Sequence, residues 1–203
     1  MAKSSQGALP PSTPGSLGIV PAAGAAERFG GAKLVANVGG SPLLERTIRA
    51  LLDGGVDKVV VVLGPDGDRI RTEVPAIGDR KVSTATNRRP ERGMFSSIQE
   101  GLREAKGDPI LVLPGDMPYV EPATVAALLR LYGEKGGIVS PRSNGKRGHP
   151  VVMPGKYRDE IMAAGEGVTL HEVLRAHAGE RVDMDVYDRG VVRDVDVPSD
   201  LTG

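Results

Sequence analysis

An α/β fold, a single doubly wound and mostly parallel sheet flanked by helices and closed by a C-terminal β-hairpin, follows from three observations. Strand-like and helix-like segments alternate along the 203 residues, which implies right-handed crossovers between parallel strands. The runs Lys58-Val-Val-Val-Val-Leu63 and Pro109-Ile-Leu-Val-Leu113 are apolar without alternation, as suits strands covered on both faces. No internal repeat or second domain boundary is found, so residues 17–203 are expected to form one domain. Residues 1–16 are rich in Ser, Pro and Gly and hold no apolar run, and are expected to form a disordered tail, neither a signal peptide nor a membrane anchor.

The elements follow in order. Leu17 to Ala22 is the first strand, and after a loop of Ala and Gly comes Ser41-Pro42, where Ser can cap a helix and Pro suits its first turn. Leu44, Ile48, Leu51 and Leu52 fall at helical spacing, and Gly54-Gly55 supplies the stop. Lys58 to Leu63 is the second strand, followed by a weaker helix near Asp66 to Val74 and a half-apolar strand around Lys81 to Thr86. Phe95, Ile98 and Leu102 share one helical face ending at Gly107, and Met94 is expected in the core with them. Pro109 to Leu113 is the fourth strand, Pro122 opens a helix through Leu131, and Gly137 to Ser140 is again strand-like. Arg181 to Tyr187 and Val191 to Val197 alternate apolar and polar residues about Asp188-Arg189-Gly190, the pattern of a hairpin or an edge facing water.

Composition removes several classes. Lys plus Arg and Asp plus Glu are 26 each, so no bulk attraction to nucleic acid or an anionic membrane is implied. The absence of cysteine excludes disulfides, thiolate zinc sites and a thiol nucleophile. Together with the lack of a targeting segment, it points to the cytoplasm. Oligomeric state is not legible.

In open α/β sheets ligands sit beyond the carboxyl ends of the strands. The stretch Ile19 to Lys33 opens in the first strand and turns there into a loop of Ala and Gly with little side-chain bulk that presents Arg28 and Lys33. Small residues let backbone N–H groups approach phosphate oxygens, and fixed cations neutralise the remaining charge. The second strand delivers Gly64-Pro65-Asp66, the third Asn87, the fourth Pro114-Gly-Asp-Met-Pro118, and the terminal segment Asp194 and Asp196. Such a set reads as a metal and triphosphate site. Magnesium takes oxygen ligands and commonly bridges one or two carboxylates, here Asp116 and Asp196, to substrate phosphates. Attack on the α-phosphate of a nucleoside triphosphate then needs charge neutralisation and an oriented leaving pyrophosphate, roles suited to the metal, Lys33 and Arg28, and no protein nucleophile.

Competing motifs fail in register. A P-loop needs Gly-Lys-Ser/Thr, but Ala32 separates Gly31 from Lys33 and Leu34 follows. A G-x-G-x-x-G fingerprint fails because Ala26 stands two residues after Gly24. His171-Glu172 is followed by His177, six residues from the first histidine rather than four, which puts the rings on different helix faces.

Four segments together carry a family resemblance. Pro21-Ala22-Ala23-Gly24-x-x-x-Arg28-Phe29-Gly30-x-x-Lys33, Asn87 with Gly93-Met94-Phe95-Ser96-Ser97, Leu113-Pro-Gly-Asp116-Met-Pro118, and the pair Gly148-His149-Pro150 and Asp194-Val-Asp196-Val-Pro198-Ser-Asp200 occur in order. The chain resembles the MobA-like nucleotidyltransferases, with their Rossmann-like fold, and within them the molybdenum cofactor cytidylyltransferase branch. That resemblance implies magnesium-dependent transfer of CMP from CTP to a phosphorylated acceptor of molybdopterin type, releasing pyrophosphate. In related enzymes an A-A-G loop goes with cytidine and an A-G-G loop with guanosine, and Ala22-Ala23-Gly24 is of the first kind. By the same resemblance Asp116 and Asp196 hold the metal, and Pro21, Ala22, Ala23, Gly24, Gly64, Asn87, Gly93 and Ser97 lie on the nucleotide side. His149 then faces the acceptor. Pro21 departs from the usual Leu and is typical of methylerythritol phosphate cytidylyltransferases, but their H-D-A-x-R-P segment is absent, since residues 114–118 read P-G-D-M-P. Sugar or polyol phosphate acceptors, a GTP-using relative, and a nucleotide-binding module without turnover are the alternatives. Arg88, Arg89 and Arg92 form a basic cluster able to meet an anionic acceptor or simply to face solvent.

Overall fold

The structure, a computed structural model, describes residues 15–24, 33–65, 67–197 and 200. In chain order its elements are β1 (Leu17–Ala22), β2 (Asn37–Val38), β3 (Ser41–Pro42), α1 (Leu43–Asp53), β4 (Lys58–Leu63), α2 (Asp68–Glu73), β5 (Val82–Thr86), α3 (Met94–Glu104) and β6 (Ile110–Val112). Then come α4 (Pro122–Lys135), β7 (Ile138–Ser143), β8 (Lys146–Arg147), β9 (Val151–Met153), α5 (Arg158–Ala163), α6 (Leu170–Ala176) and β10 (Arg181–Asp185). The main sheet runs β10-β7-β9-β6-β1-β4-β5, with β8 paired to β7. β1 pairs in parallel with β4 and β6, β4 with β5, and β10 with β7, whereas β9 is antiparallel to both its neighbours.

The unbroken valine run of β4 has the expected cause. Val59, Val61 and Leu63 pack towards Leu44, Ile48 and Leu51 of α1 and Leu128 of α4, while Val60 and Val62 pack towards Phe95, Ile98 and Leu102 of α3. Each face of the strand therefore removes apolar surface from water, at about 1.5–3 kcal/mol for a fully buried Val or Leu side chain. Gly15 and Ser16, the last residues of the expected tail, belong to the domain. Ser16 is buried, and both its N–H and its hydroxyl donate to the Asp57 carboxylate at 3.1 and 2.8 Å. The rest of that tail lies outside the described residues. Among the described residues no helix is long and apolar enough to cross a membrane.

Three expectations are corrected. Ser41-Pro42 does not begin a helix with a serine cap: it pairs with Asn37–Val38 across Gly39 and Gly40, both at positive φ, and Pro42 precedes α1 with no side-chain cap. Met94 is 46% exposed, because α3 starts at the rim of a cleft, and its apolar side chains that turn inward are Phe95, Ile98 and Leu102. Among the described residues no C-terminal hairpin forms. Arg181–Asp185 is a parallel edge strand on β7, and residues 189–192 make a 3-10 turn.

The physical reason lies in Asp188. This buried carboxylate accepts from the Gly190 N–H at 2.8 Å, the Glu121 N–H at 2.9 Å and the Thr124 hydroxyl at 2.8 Å. It thereby ties the chain to the start of α4 instead of letting it fold back along β10. Val191 and Val195, both fully buried, supply the apolar half of the alternation by plugging under loops rather than by lining a sheet face.

Candidate active site

The chain lays β1, β4 and β5 outward in one direction, then returns to place β6 on the other side of β1. A cleft of about 280 Å³ opens at this switch point, beyond the carboxyl end of β1. Its lining includes Pro21, Ala22, Ala23 and Gly24 from β1 and the turn after it, Lys33 from a short 3-10 turn, and Pro114 and Asp116 from the loop after β6. Gly93 and Ser97, at the start of α3, form another wall with Met94 and Pro90. Pro21 sits in a central strand, where proline normally removes a ladder bond. It lies past the last residue of β6, and its carbonyl accepts from the Gly115 N–H at 2.9 Å, which staples the Asp116 loop to β1. Thr47 of α1 adds a second tie, donating its hydroxyl to the Gly115 carbonyl at 3.1 Å.

Two of the expected nucleotide-side residues stand behind the lining. Gly64 abuts the Ala23 backbone, where a Cβ would come within 3.2 Å of the Ala23 carbonyl oxygen. Asn87 is buried and donates its amide to Ser96 Oγ and Ser97 Oγ at 2.8 and 3.0 Å, while its Oδ1 accepts from the Arg89 N–H at 2.9 Å. It fixes the bend into α3, with Gly93 at φ 84° supplying the turn itself. Arg28 lies outside the described residues.

The polar centre of the cleft is Lys33. Its Nζ donates to Asp116 Oδ2 at 2.9 Å and approaches Asp196 Oδ1 at 3.5 Å, so three residues from distant parts of the chain meet at one point. The Lys33 side chain is only 12% exposed, which shields the pair and strengthens the attraction relative to a surface ion pair. Asp196 is positioned by its own turn. The Asp200 carboxylate accepts from the Asp196 and Val197 N–H groups, both at 2.9 Å, and these bonds hold its pKa below the ordinary carboxylate value. The turn is anchored in turn by Tyr119, whose hydroxyl donates to the Asp200 carbonyl at 2.8 Å beneath the Arg193 guanidinium, and by the Val195 N–H, which donates to the Asp116 carbonyl at 3.0 Å.

Two carboxylates converging on one cation suit a hard divalent ion that completes its shell with water and phosphate oxygens. Among the described residues no group of three or more His, Cys, Asp or Glu side chains stands together, and the two carboxylates Asp116 and Asp196 meet at Lys33.

A second cavity, about 630 Å³, lies alongside and shares Met94 with the first. His149 lines it and reaches back to the Val112 carbonyl with Nδ1 at 3.2 Å. Donation to that carbonyl fixes the proton on Nδ1 and leaves Nε2 as an acceptor. Burial pushes the His149 pKa below its ordinary 6.5, with the Val112 carbonyl and the Asp116 charge opposing. The unfolded chain therefore binds the proton more readily, and stability is lost as pH falls below 6.5 towards the lowered folded value. Denaturant titrations at pH 7.5 and 5.5 are expected to show a drop in wild type that His149→Gln reduces; an equal drop in both would contradict the assignment.

Two members of the basic cluster face acids: Arg92 and Arg89 approach Glu166 at 2.9 and 3.6 Å, and Arg89 also meets Glu91. Several cavity residues carried no expectation from sequence, among them Arg142, Arg147, Arg181 and Asp183. One local signal was available nearby, the Thr169-x-x-Glu172 spacing, which forms a full capping box at the start of α6 beside that cavity.

A doubly wound sheet with a small-residue loop, a lysine and two converging aspartates at its switch point defines a nucleotidyltransferase. Residues 18–182 match the MobA-like NTP transferase domain, and the chain belongs to that family. It is 33% identical over 168 residues, 78% of this chain and 76% of the relative, to a phosphoenolpyruvate guanylyltransferase of Rubrobacter xylanophilus. It is 26% identical over 61% of this chain and 59% of the relative to a probable molybdenum cofactor guanylyltransferase of Thermococcus sibiricus. The crystal structure of Rv0371c from Mycobacterium tuberculosis H37Rv in complex with manganese superposes with a TM-score of 0.69 at 20% identity, over 92% of this chain and 95% of that one, a likeness of fold.

Proposed function

We propose that the protein moves a nucleoside monophosphate, CMP from CTP in the first reading, onto a phosphorylated acceptor of molybdopterin type in the cytoplasm, with magnesium, and releases pyrophosphate. The observation that carries this is the meeting of Lys33, Asp116 and Asp196 at the mouth of the cleft formed by Pro21 to Gly24. Asp116 and Asp196 would hold the ion, which when bound would supply charge neutralisation at the phosphates. Lys33 turns from the carboxylates to the phosphates, joined by Arg28. Ala22 to Gly24 offer backbone N–H groups to the phosphates, and Gly93 and Ser97 flank the nucleoside. Asn87 and Gly64 act by holding those walls in place. His149 meets the acceptor with neutral Nε2 as a hydrogen-bond acceptor. The acceptor phosphate already carries charge on its attacking oxygen, so no general base is required.

A second reading, GTP in place of CTP, is favoured by the two guanylyltransferases among the relatives. The A-A-G loop favours cytidine, but one methyl group discriminates by only about 1–3 kcal/mol. Thermal shifts with CTP, GTP, ATP and UTP in the presence of magnesium decide between them, followed by pyrophosphate release with the preferred nucleotide and a phosphorylated pterin. A larger shift with GTP overturns the first reading, and no release with any nucleotide and acceptor overturns both. Asp200→Ala is expected to free the turn that aims Asp196 and to raise the divalent ion concentration needed for half-maximal activity about 10- to 100-fold. An unchanged ion requirement would remove Asp200 from the site.

A further inference from the structure

The second cavity contains three guanidinium groups, and their partners differ. Arg142 donates to both oxygens of Asp185 at 2.7 and 2.9 Å, and Arg147 to both oxygens of Asp183 at 2.6 and 2.9 Å, so both forks are filled. Among the described residues Arg181 has no such carboxylate. Its one hydrogen bond among the described residues is a long donation from Nη2 to Ser140 Oγ at 3.4 Å, and its Nε is buried with no partner among the described residues. Burial and the neighbouring Arg147 both pull its pKa below the ordinary arginine value, with Asp183 opposing. A half-buried guanidinium without a fork partner is costly, and a planar or tetrahedral oxyanion would satisfy it.

We infer that Arg181 is a specificity-determining residue that binds a second anionic group of the acceptor, a carboxylate or a further phosphate, distinct from the phosphate whose oxygen attacks the nucleotide. The inference rests on the reading of this protein as a transferase for a phosphorylated acceptor. His149 lines the same cavity and feels the Asp116 charge, and Met94 lines both cavities, so an acceptor lying there has one end beside the proposed ion site and the other at Arg181. Arg142 and Arg147 keep the cavity from accumulating excess charge, because their aspartates neutralise them. The inference thus narrows the proposed acceptor to a small molecule with two anionic groups: a pterin bearing a single phosphate, like any phosphate monoester without the second group, lacks the Arg181 contact.

The test uses three probes against the full chain. Phosphoenolpyruvate carries a carboxylate beside its phosphate, 1,3-propanediol bisphosphate carries a second phosphate, and propyl phosphate carries neither. Calorimetric titration is expected to show at least one of the first two binding about 10- to 100-fold more tightly than propyl phosphate. The better of the two identifies the second group. Arg181→Gln is expected to abolish that difference and Arg181→Lys to restore part of it, with the nucleotide-induced thermal shift unchanged in both. Propyl phosphate binding as tightly as both dianionic probes overturns the inference, as does a difference that survives in Arg181→Gln. If the Gln variant fails to fold, the Arg181 Nε–H resonance of the wild type decides: movement on adding the better probe supports the contact, and a stationary signal overturns it. Pyrophosphate release that proceeds while Arg181 proves indifferent sinks the inference alone. Absent release with an intact Arg181-dependent anion site sinks the transferase reading instead.

Discussion

Asp116→Asn is expected to lower pyrophosphate release by about 10²- to 10³-fold, the scale of losing one preorganised electrostatic group at a transferring phosphate. The substitution keeps the shape of the side chain and removes its charge. Lys33, now 2.9 Å from Asp116 and 3.5 Å from Asp196, loses its nearer anion, and the ion site is left with one carboxylate. The fold does not depend on that charge. The Asp116 loop is held by the Gly115 N–H to Pro21, by Thr47 to the Gly115 carbonyl and by the Val195 N–H to the Asp116 carbonyl, all of which survive. Melting temperature is therefore expected to stay nearly constant while turnover collapses. Lys33→Ala combined with Asp116→Asn is expected to cost less than the sum of the two, because both act at one point. Turnover within threefold of wild type in Asp116→Asn, measured at saturating ion, would remove this residue from the chemistry.

Gly190→Ala is expected to be among the most damaging single methyl groups that the described residues could receive. The terminal segment passes over the loop after β6 so closely that a Cβ at Gly190 would fall within the contact radius of the Tyr119 carbonyl and 2.7 Å from the Val120 backbone nitrogen. Backbone meets backbone there, so no side-chain rotation relieves the clash. Overpacking costs about 1–3 kcal/mol in well-packed sites, and this one belongs at the top of that range. For a chain of this size about 3 kcal/mol corresponds to a fall of about 6–12 °C in melting temperature. The same displacement carries away Asp188 and its hold on α4, and Asp196 with it, so activity falls further than stability alone explains. A calorimetric scan showing an unchanged melting temperature would mean that the segment crosses elsewhere.

The parts of the structure legible in sequence are those whose cause is local. Lys58 to Leu63 reads as a doubly covered strand because every residue in it is apolar after the first, and the helices on either side confirm the reason. Pro21 to Gly24 stand at and just past the end of β1, and Lys33 and Asp116 come after strands in the sequence, so they arrive at the same sheet end. What escaped has a long-range cause. β9 is three residues long and enters the sheet between β6 and β7 against the direction of both, which no short apolar run announces. The alternation around Arg181 and Val191 was real, but its second half plugs loops because Asp188 is consumed by α4. Arg142, Arg147 and Arg181 are indistinguishable as letters. Only the parallel pairing of β10 with β7 puts Asp185 beside Arg142 and leaves Arg181 opposite Ile138, without an acid.

The lysine that joins Asp116 to Asp196 gives the cleft an internal counterion before any ligand arrives. In the proposed reaction that ammonium is a placeholder, and displacing it is costly unless something negative is present to receive it. Lys33 released from the aspartates finds its next partner on a triphosphate, and the aspartates released from Lys33 find theirs on the ion. Neither exchange is favourable alone, since each leaves one charge stranded in a partly shielded site. On the proposed reading the two ligands would be interdependent: the cleft would discriminate against a bare ion and against a bare nucleotide, and would take both as one complex.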